Sequence, residues 1–109
     1  MHELSIASGI VEICAERAGD ARVTRVRLEI GQLSAVMPDA VRFCFDVCAR
    51  NTVLEGAALE IVETPGRAVC RDCDGEVSLV QLVGRCACGS ANLRVIAGEE
   101  LRIREMEVA

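Results

Sequence analysis

Residues 70–89 read CRDCDGEVSLVQLVGRCACG, and this stretch decides how the rest of the chain divides. Cys70 and Cys73 form a C-x2-C knuckle; Cys86 and Cys88 form a C-x-C pair after twelve intervening residues. Two thiolate pairs on turns at the ends of a short hairpin are what a tetrahedral ion requires. Glycines at 75, 84 and 89 let the backbone curl so that both sulfurs of a pair face inward. Four soft thiolates favour zinc, with iron the less favoured occupant. The competing readings are a redox dithiol at Cys70/Cys73 and cysteines without a ligand. A lobe of about thirty residues cannot bury an adequate core, so an ion here is structural, and four protein ligands leave no open position for chemistry.

Outward from this cluster, residues 65–97 form the predicted zinc-binding lobe, opening at Pro65–Gly66. Residues 1–64 and 98–109 form a discontinuous α+β domain around it. In that domain Leu4, Ala7, Val11, Cys14 and Ala18 recur at helical steps, and Ile6, Ile10 and Ile13 widen the stripe. A helix over 3–18 follows, stopped at Gly19–Asp20. Residues 22–30 alternate from Thr24, with Val26, Leu28 and Ile30 on one face and Arg25, Arg27 and Glu29 on the other. This predicts a half-buried strand ending at Gly31. Pro38 suits a first helical position and Asp39 the first turn, so a second helix starts there with a stripe of Val41, Cys44, Phe45 and Cys48. A strand around 57–63 follows Glu55–Gly56, with Leu59 and Ile61 in phase. The last strand spans 99–108, and its apolar phase switches between Ile103 and Met106, which predicts a bulge or a twisted end. The expected fold is α+β: a three-stranded mixed sheet with two helices, plus an inserted small zinc-ribbon-like lobe.

Composition narrows the function. The 109 residues carry a formal charge of −5, two Phe, and no Tyr or Trp. That balance opposes phosphate-backbone binding and offers little for base stacking. No apolar stretch is long enough to span a bilayer, and no basic segment leads into an apolar run at the start. The expected compartment is therefore the cytoplasm, where thiols stay reduced, and there seven cysteines with two clustered pairs read as metal ligands before disulfides. Cys14, Cys44 and Cys48 lie on helix stripes and read as small buried hydrophobes, with a ligand or redox role for Cys44/Cys48 as the alternative.

The only histidine is His2, beside the α-amino group. The Met1 amine and the His2 amide close a five-membered chelate ring, and the same amide and His2 Nδ1 close a six-membered one. Glu3 supplies a fourth ligand through its amide or carboxylate. Such a planar, nitrogen-rich set suits nickel(II) or copper(II). A helix start makes it cheap, since its first N–H groups have no intrahelical partner. The bland alternative is a frayed terminus with a passive His. Amine and imidazole must both be deprotonated to bind, so nickel is held more weakly as pH falls.

Together, MHELSI at the start, VRLEIGQLS in the first strand, the C-x2-C cluster and CGSANLRVIAGEELRIREMEV resemble the HypA/HybF family of hydrogenase nickel-incorporation proteins. The resemblance implies a nickel metallochaperone, not an enzyme, with Ni(II) as transferred cargo on Met1, His2 and Glu3. It implies Zn(II) on Cys70, Cys73, Cys86 and Cys88, structural or regulatory. It also implies the nickel-handling GTPase HypB and the hydrogenase large subunit as partners, and for some members urease accessory proteins. One departure stands out. The family usually has a second C-x2-C knuckle, whereas this chain has Cys86-Ala87-Cys88, one residue shorter. Two other readings are a zinc-ribbon module for protein or nucleic acid without nickel transfer, and a Cys70/Cys73 oxidoreductase. With no second histidine to complete a nucleophile–base pair, hydrolysis is disfavoured.

Overall fold

The structure is a computed structural model that describes residues 2–109. Its elements run α1 (Glu3–Ala18), β1 (Val23–Gly31), α2 (Pro38–Ala49), β2 (Ala58–Thr64), β3 (Gly66–Cys70), β4 (Glu76–Leu79), β5 (Leu93–Ala97) and β6 (Leu101–Val108). Two three-stranded sheets result, ordered β2-β1-β6 and β4-β3-β5. The chain divides into two compact units. One comprises the chain up to Glu29, Val36–Val62 and Arg102–Ala109; the other comprises Ile30–Ala35 and Glu63–Leu101. No helix among the described residues is long and apolar enough to cross a membrane.

In the first unit α1 ends where Gly19 takes φ 61° and its N–H returns to the Ala15 carbonyl at 3.1 Å. That left-handed turn costs a glycine little. The helix buries Ile6, Ala7, Ile10, Val11 and Cys14. Leu4 and Ile13, read from sequence as part of the stripe, are instead 55% and 50% exposed. Leu4 sits in the first turn and Ile13 at the margin of the buried arc. Pro38 opens α2, and the helix buries Val41, Phe45 and Ala49. Cys44 and Cys48 flank that row and are half-buried, so the predicted stripe is rotated toward Ala49. Val26 and Leu28 of β1, Val41 and Phe45 of α2, and Leu54 are all fully buried, aliphatic but for the one ring.

The sheet of this unit is mixed. Glu60 on β2 receives both Arg25 and Arg27 of β1, a pattern that a parallel crossover through α2 allows. β6 runs antiparallel to β1, with the Ala109 N–H on the Arg22 carbonyl at 2.9 Å and Arg102 on Glu29 at 2.6 Å. Arg102 and Arg104 both reach Glu29, yet Glu105 reaches Arg27 and Glu107 reaches Arg25. Even-numbered and then odd-numbered residues thus occupy one face, so the strand changes phase between Arg104 and Glu105. An extra residue in a ladder has this effect. Ile103 and Met106 both turn toward the other face and are half-buried.

The second unit is small. β3 pairs antiparallel with β4, from Gly66–Leu79 to Val69–Glu76, and with β5, from Arg67–Ala97 to Cys70–Leu93. Its core is Leu33, Ala68 and Leu79, bordered by Val77, Leu93 and Val95. Leu33 explains why Ile30–Ala35 belongs to this unit: its N–H meets the Gly98 carbonyl at 2.6 Å, and Gly31 N–H meets Glu100 at 2.7 Å. The backbones touch here. A Cβ on Gly31 would lie 2.0 Å from the Gly98 oxygen, and one on Gly98 would lie 2.6 Å from the Gly66 Cα.

Candidate metal centres

Cys70 closes β3, and Cys73 lies in the turn that leads to β4. β5 pairs with the other side of β3 and returns the preceding turn, with Cys86 and Cys88, to the same end. All four sulfurs consequently lie within 4.8 Å of one another. Cys70 and Cys88 Sγ are 3.7 Å apart, and Cys73 and Cys86 Sγ are 3.5 Å apart. A tetrahedron with metal–sulfur bonds of about 2.3 Å has edges of about 3.8 Å, so these two sulfur pairs stand close to the spacing that a tetrathiolate site requires. Cys70 and Cys86 are buried, Cys73 and Cys88 exposed.

The short second pair is accommodated by a turn that repeats the first with one residue fewer. In the first turn the Cys70 N–H donates to the Gly75 carbonyl (2.8 Å), and Asp74 N–H to the Cys70 carbonyl (2.9 Å). In the second, Cys86 N–H donates to the Ser90 carbonyl (2.8 Å), and Gly89 N–H to the Cys86 carbonyl (2.9 Å). Each turn has one left-handed residue, Asp74 at φ 62° and Gly89 at φ 93°. Both backbone bonds survive the lost residue, so both loops still direct sulfur inward. The turns are also tied together, because the Ser90 hydroxyl donates to the Asp72 carboxylate and accepts the Asn92 N–H at 3.0 Å. Sequence reading passed over Asp72 and Ser90; the signal was a polar pair, one residue inside the first knuckle and one just beyond the second.

The thiols of Cys70, Cys73 and Cys88 influence one another's ionisation. Cys70 is drawn down to about 7, chiefly by the Asp72 N–H aimed at its sulfur, against the effect of burial. The Gly75 N–H favours a Cys73 thiolate, but the neighbouring thiols of Cys86, Cys88 and Cys70 push it up to about 12. Cys88 is likewise raised, despite the Ser90 N–H. Cys70 ionises readily, whereas Cys73 and Cys88 resist sharing its charge. A dication supplies what the cage lacks, since a coordinated thiol is deprotonated outright.

The second candidate centre is the helix start. His2 is the N-cap of α1, extended at φ −86°, ψ 123°, exposed, and without a side-chain cap bond. Its carbonyl accepts the Ile6 N–H at 3.2 Å. Glu3 opens the helix, and its Oε2 accepts the Met37 N–H at 3.2 Å. That bond, followed by the residue's own N–H, holds the Glu3 carboxyl below the ordinary glutamate range. His2 and Glu3 therefore present an exposed imidazole and an ionised carboxylate at consecutive positions. Met1 lies outside the described residues. Among the other cysteines, Cys14 is buried and its thiol is pushed up by burial.

Residues 1–108 match a family model described as "Hydrogenase/urease nickel incorporation, metallochaperone, hypA". The chain is 58% identical over 108 residues to the hydrogenase maturation factor HypA of Trichormus variabilis, covering 99% of this chain and 96% of that protein. It is 51% identical to the protein of the same name in Geobacter metallireducens, covering 99% of each. A solution structure of the Ni metallochaperone HypA from Helicobacter pylori superposes with a TM-score of 0.67 at 29% identity, over 99% of this chain and 97% of that one. A second solution structure of a HypA protein gives 0.73 at 29% identity, over 100% and 97%.

Proposed function

Because the chain belongs to the HypA family of nickel-incorporation metallochaperones, which are not enzymes, we propose that it carries Ni(II) on Met1, His2 and Glu3 and delivers it during maturation of a nickel–iron hydrogenase. The observation that carries this reading is the pairing at the α1 start of an exposed imidazole with a carboxylate that a backbone N–H keeps ionised. The His2 amide precedes the helical ladder, so its nitrogen is available to a metal without loss of an intrahelical bond. A planar nitrogen set there selects nickel(II) over zinc. Ligands at an exposed chain end exchange readily, as cargo must.

Zinc belongs on Cys70, Cys73, Cys86 and Cys88. The sulfur spacing supports it, and the unit's small core makes an ion a major source of its order. Bound there, zinc supplies charge that holds all four sulfurs as thiolates. Four thiols gathered for a metal suit a reducing compartment, so the cytoplasm is the place of action. The receiving proteins are the hydrogenase large subunit and the nickel-handling GTPase HypB; urease accessory proteins form a second route.

The test adds one or two residues ahead of Met1 and measures nickel and zinc separately. Nickel affinity collapses and zinc content stays at one equivalent if the reading holds. Unchanged nickel affinity overturns it.

A further inference from the structure

Three cysteines lie outside the sulfur cage, and two of them, Cys44 and Cys48, stand one helical turn apart on α2. Both are half-buried on the same flank of the row Val41, Phe45 and Ala49. Neither belongs to the nickel or the zinc centre. We propose that Cys44 and Cys48 form a two-coordinate site for a soft monovalent cation, copper(I).

Helix geometry separates this site from a disulfide. Side chains four residues apart on a helix are neighbours, with Cβ atoms about 5–6 Å apart. A disulfide needs Cβ atoms about 3.5–4.5 Å apart, so the pair cannot close one without distorting α2. A bridging ion adds two metal–sulfur bonds to the span, and the same spacing then suits it. Both ligands also ride on one continuous helix, Pro38–Ala49, which fixes their separation before any ion arrives.

The ligand count selects the ion. Among the described residues, three or more Cys, His, Asp or Glu ligand atoms gather within one metal shell only at the sulfur cage. Cys44 and Cys48 thus have no third and fourth partner of this kind, which disfavours zinc(II) with its tetrahedron and nickel(II) with its square. Their helix neighbours three and four positions away include Ala40, Val41, Phe45 and Val47, all apolar. Phe43 and Val47, 72% and 41% exposed, add apolar surface beside the pair. Two thiolates without a hard ligand suit copper(I), which soft sulfur donors select. Cys14, the third free thiol, lies apart, lining a groove with Ile103 and Met106 of β6.

Binding at Cys44 and Cys48 displaces two thiol protons and leaves a bis-thiolate complex with one negative charge. At the cage the same ion has to displace a dication held by four sulfurs. With zinc in place, the α2 pair therefore takes the first equivalent of copper(I) and the cage is spared.

The test titrates the full-length chain, its zinc content verified beforehand, with copper(I) under argon against a chromophoric copper(I) chelator, while a zinc dye reads released zinc. In the wild type the first equivalent binds and zinc stays, and X-ray absorption at the copper edge shows two sulfur neighbours. C44S/C48S loses this equivalent, and its first copper(I) remains on the chelator or expels zinc. D46C/C48A keeps two thiols on α2 but sets them two positions apart, where side chains do not face each other, and it loses the equivalent as well. Zinc release with the first equivalent in the wild type overturns the proposal. So does a zinc-sparing equivalent that persists in either variant, or a copper ion with three or four sulfur neighbours. Where a variant fails to fold by circular dichroism, iodoacetamide labelling of the wild type decides. Protection of Cys44 and Cys48 by one equivalent of copper(I) supports the site; labelling that copper(I) leaves unchanged refutes it.

Discussion

Glu3 Oε2 accepts the Met37 N–H at 3.2 Å, so the residue that opens α1 also holds the N-cap of α2. The same carboxylate is a proposed nickel ligand, and the two roles can be separated. Glu3→Gln keeps an acceptor for Met37 but removes the charge; Glu3→Ala removes both. Both variants lower nickel affinity, by at least about tenfold, the loss usual for a group supporting a metal site. Only Glu3→Ala also lowers the melting temperature. Calorimetric nickel titration beside thermal melts checks this; equal nickel affinity in all three proteins refutes it.

Gly75 stands over the sulfur cage. A Cβ there would lie 3.2 Å from Cys73 Sγ and 3.7 Å from Cys86 Sγ. Gly75→Ala therefore crowds the metal shell and weakens zinc retention against a chromophoric chelator. Gly89→Ala meets no atom within 4 Å, yet its φ of 93° strains a side chain by about 1–3 kcal/mol. Its effect appears as lost stability of the second turn. Nickel binding stays unchanged in both variants.

Glu60 makes the first sheet sensitive to acid. Partial burial raises its carboxyl, but the guanidinium groups of Arg25 and Arg27 outweigh that and hold it below the ordinary value. The folded state thus releases this proton more readily than the unfolded chain does. The resulting stability is present above about pH 4.3, the unfolded glutamate value, and is lost as pH falls through the lower folded one. Glu60→Gln flattens this part of the stability–pH curve, as urea melts between neutral and acidic pH would show.

Phe45 is 1% exposed and is the one aromatic side chain in an otherwise aliphatic core. Phe45→Ala leaves a cavity costing about 3–5 kcal/mol, a large part of the stability of so small a unit. Zinc binding persists in this variant, since the sulfur cage draws on a different core. Loss of the cooperative melt with retained zinc is the expected result.

Much of this was legible in the sequence because it depends on local signals. The stripe over 3–18 matches α1, Pro38 begins α2, and the spacing of Cys70, Cys73, Cys86 and Cys88 anticipates the sulfur cage. What escaped depends on partners distant in the chain. Leu4 and Ile13 fit the helical period as well as Ile6 does, and only the placement of neighbours leaves them exposed. Cys44 and Cys48 lost their buried places to Ala49 in the same way. Glu29 reads as an outward-facing charge, yet it is 4% exposed because Arg102, some seventy residues later, covers it. The Ser90–Asp72 tie joins two turns that periodicity cannot relate.

The ion pair of Glu29 with Arg102 has a bearing on how the polypeptide is made. A ribosome releases the beginning of a chain first, so the proposed cargo-binding end emerges early. Its sheet, however, lacks an outer strand until Arg102 and the residues after it follow, and until then Glu29 has no counter-charge from that strand. The whole sulfur-bearing insert is translated in between. The unit to which Glu29 and Arg102 both belong is therefore completed only after that insert has left the ribosome.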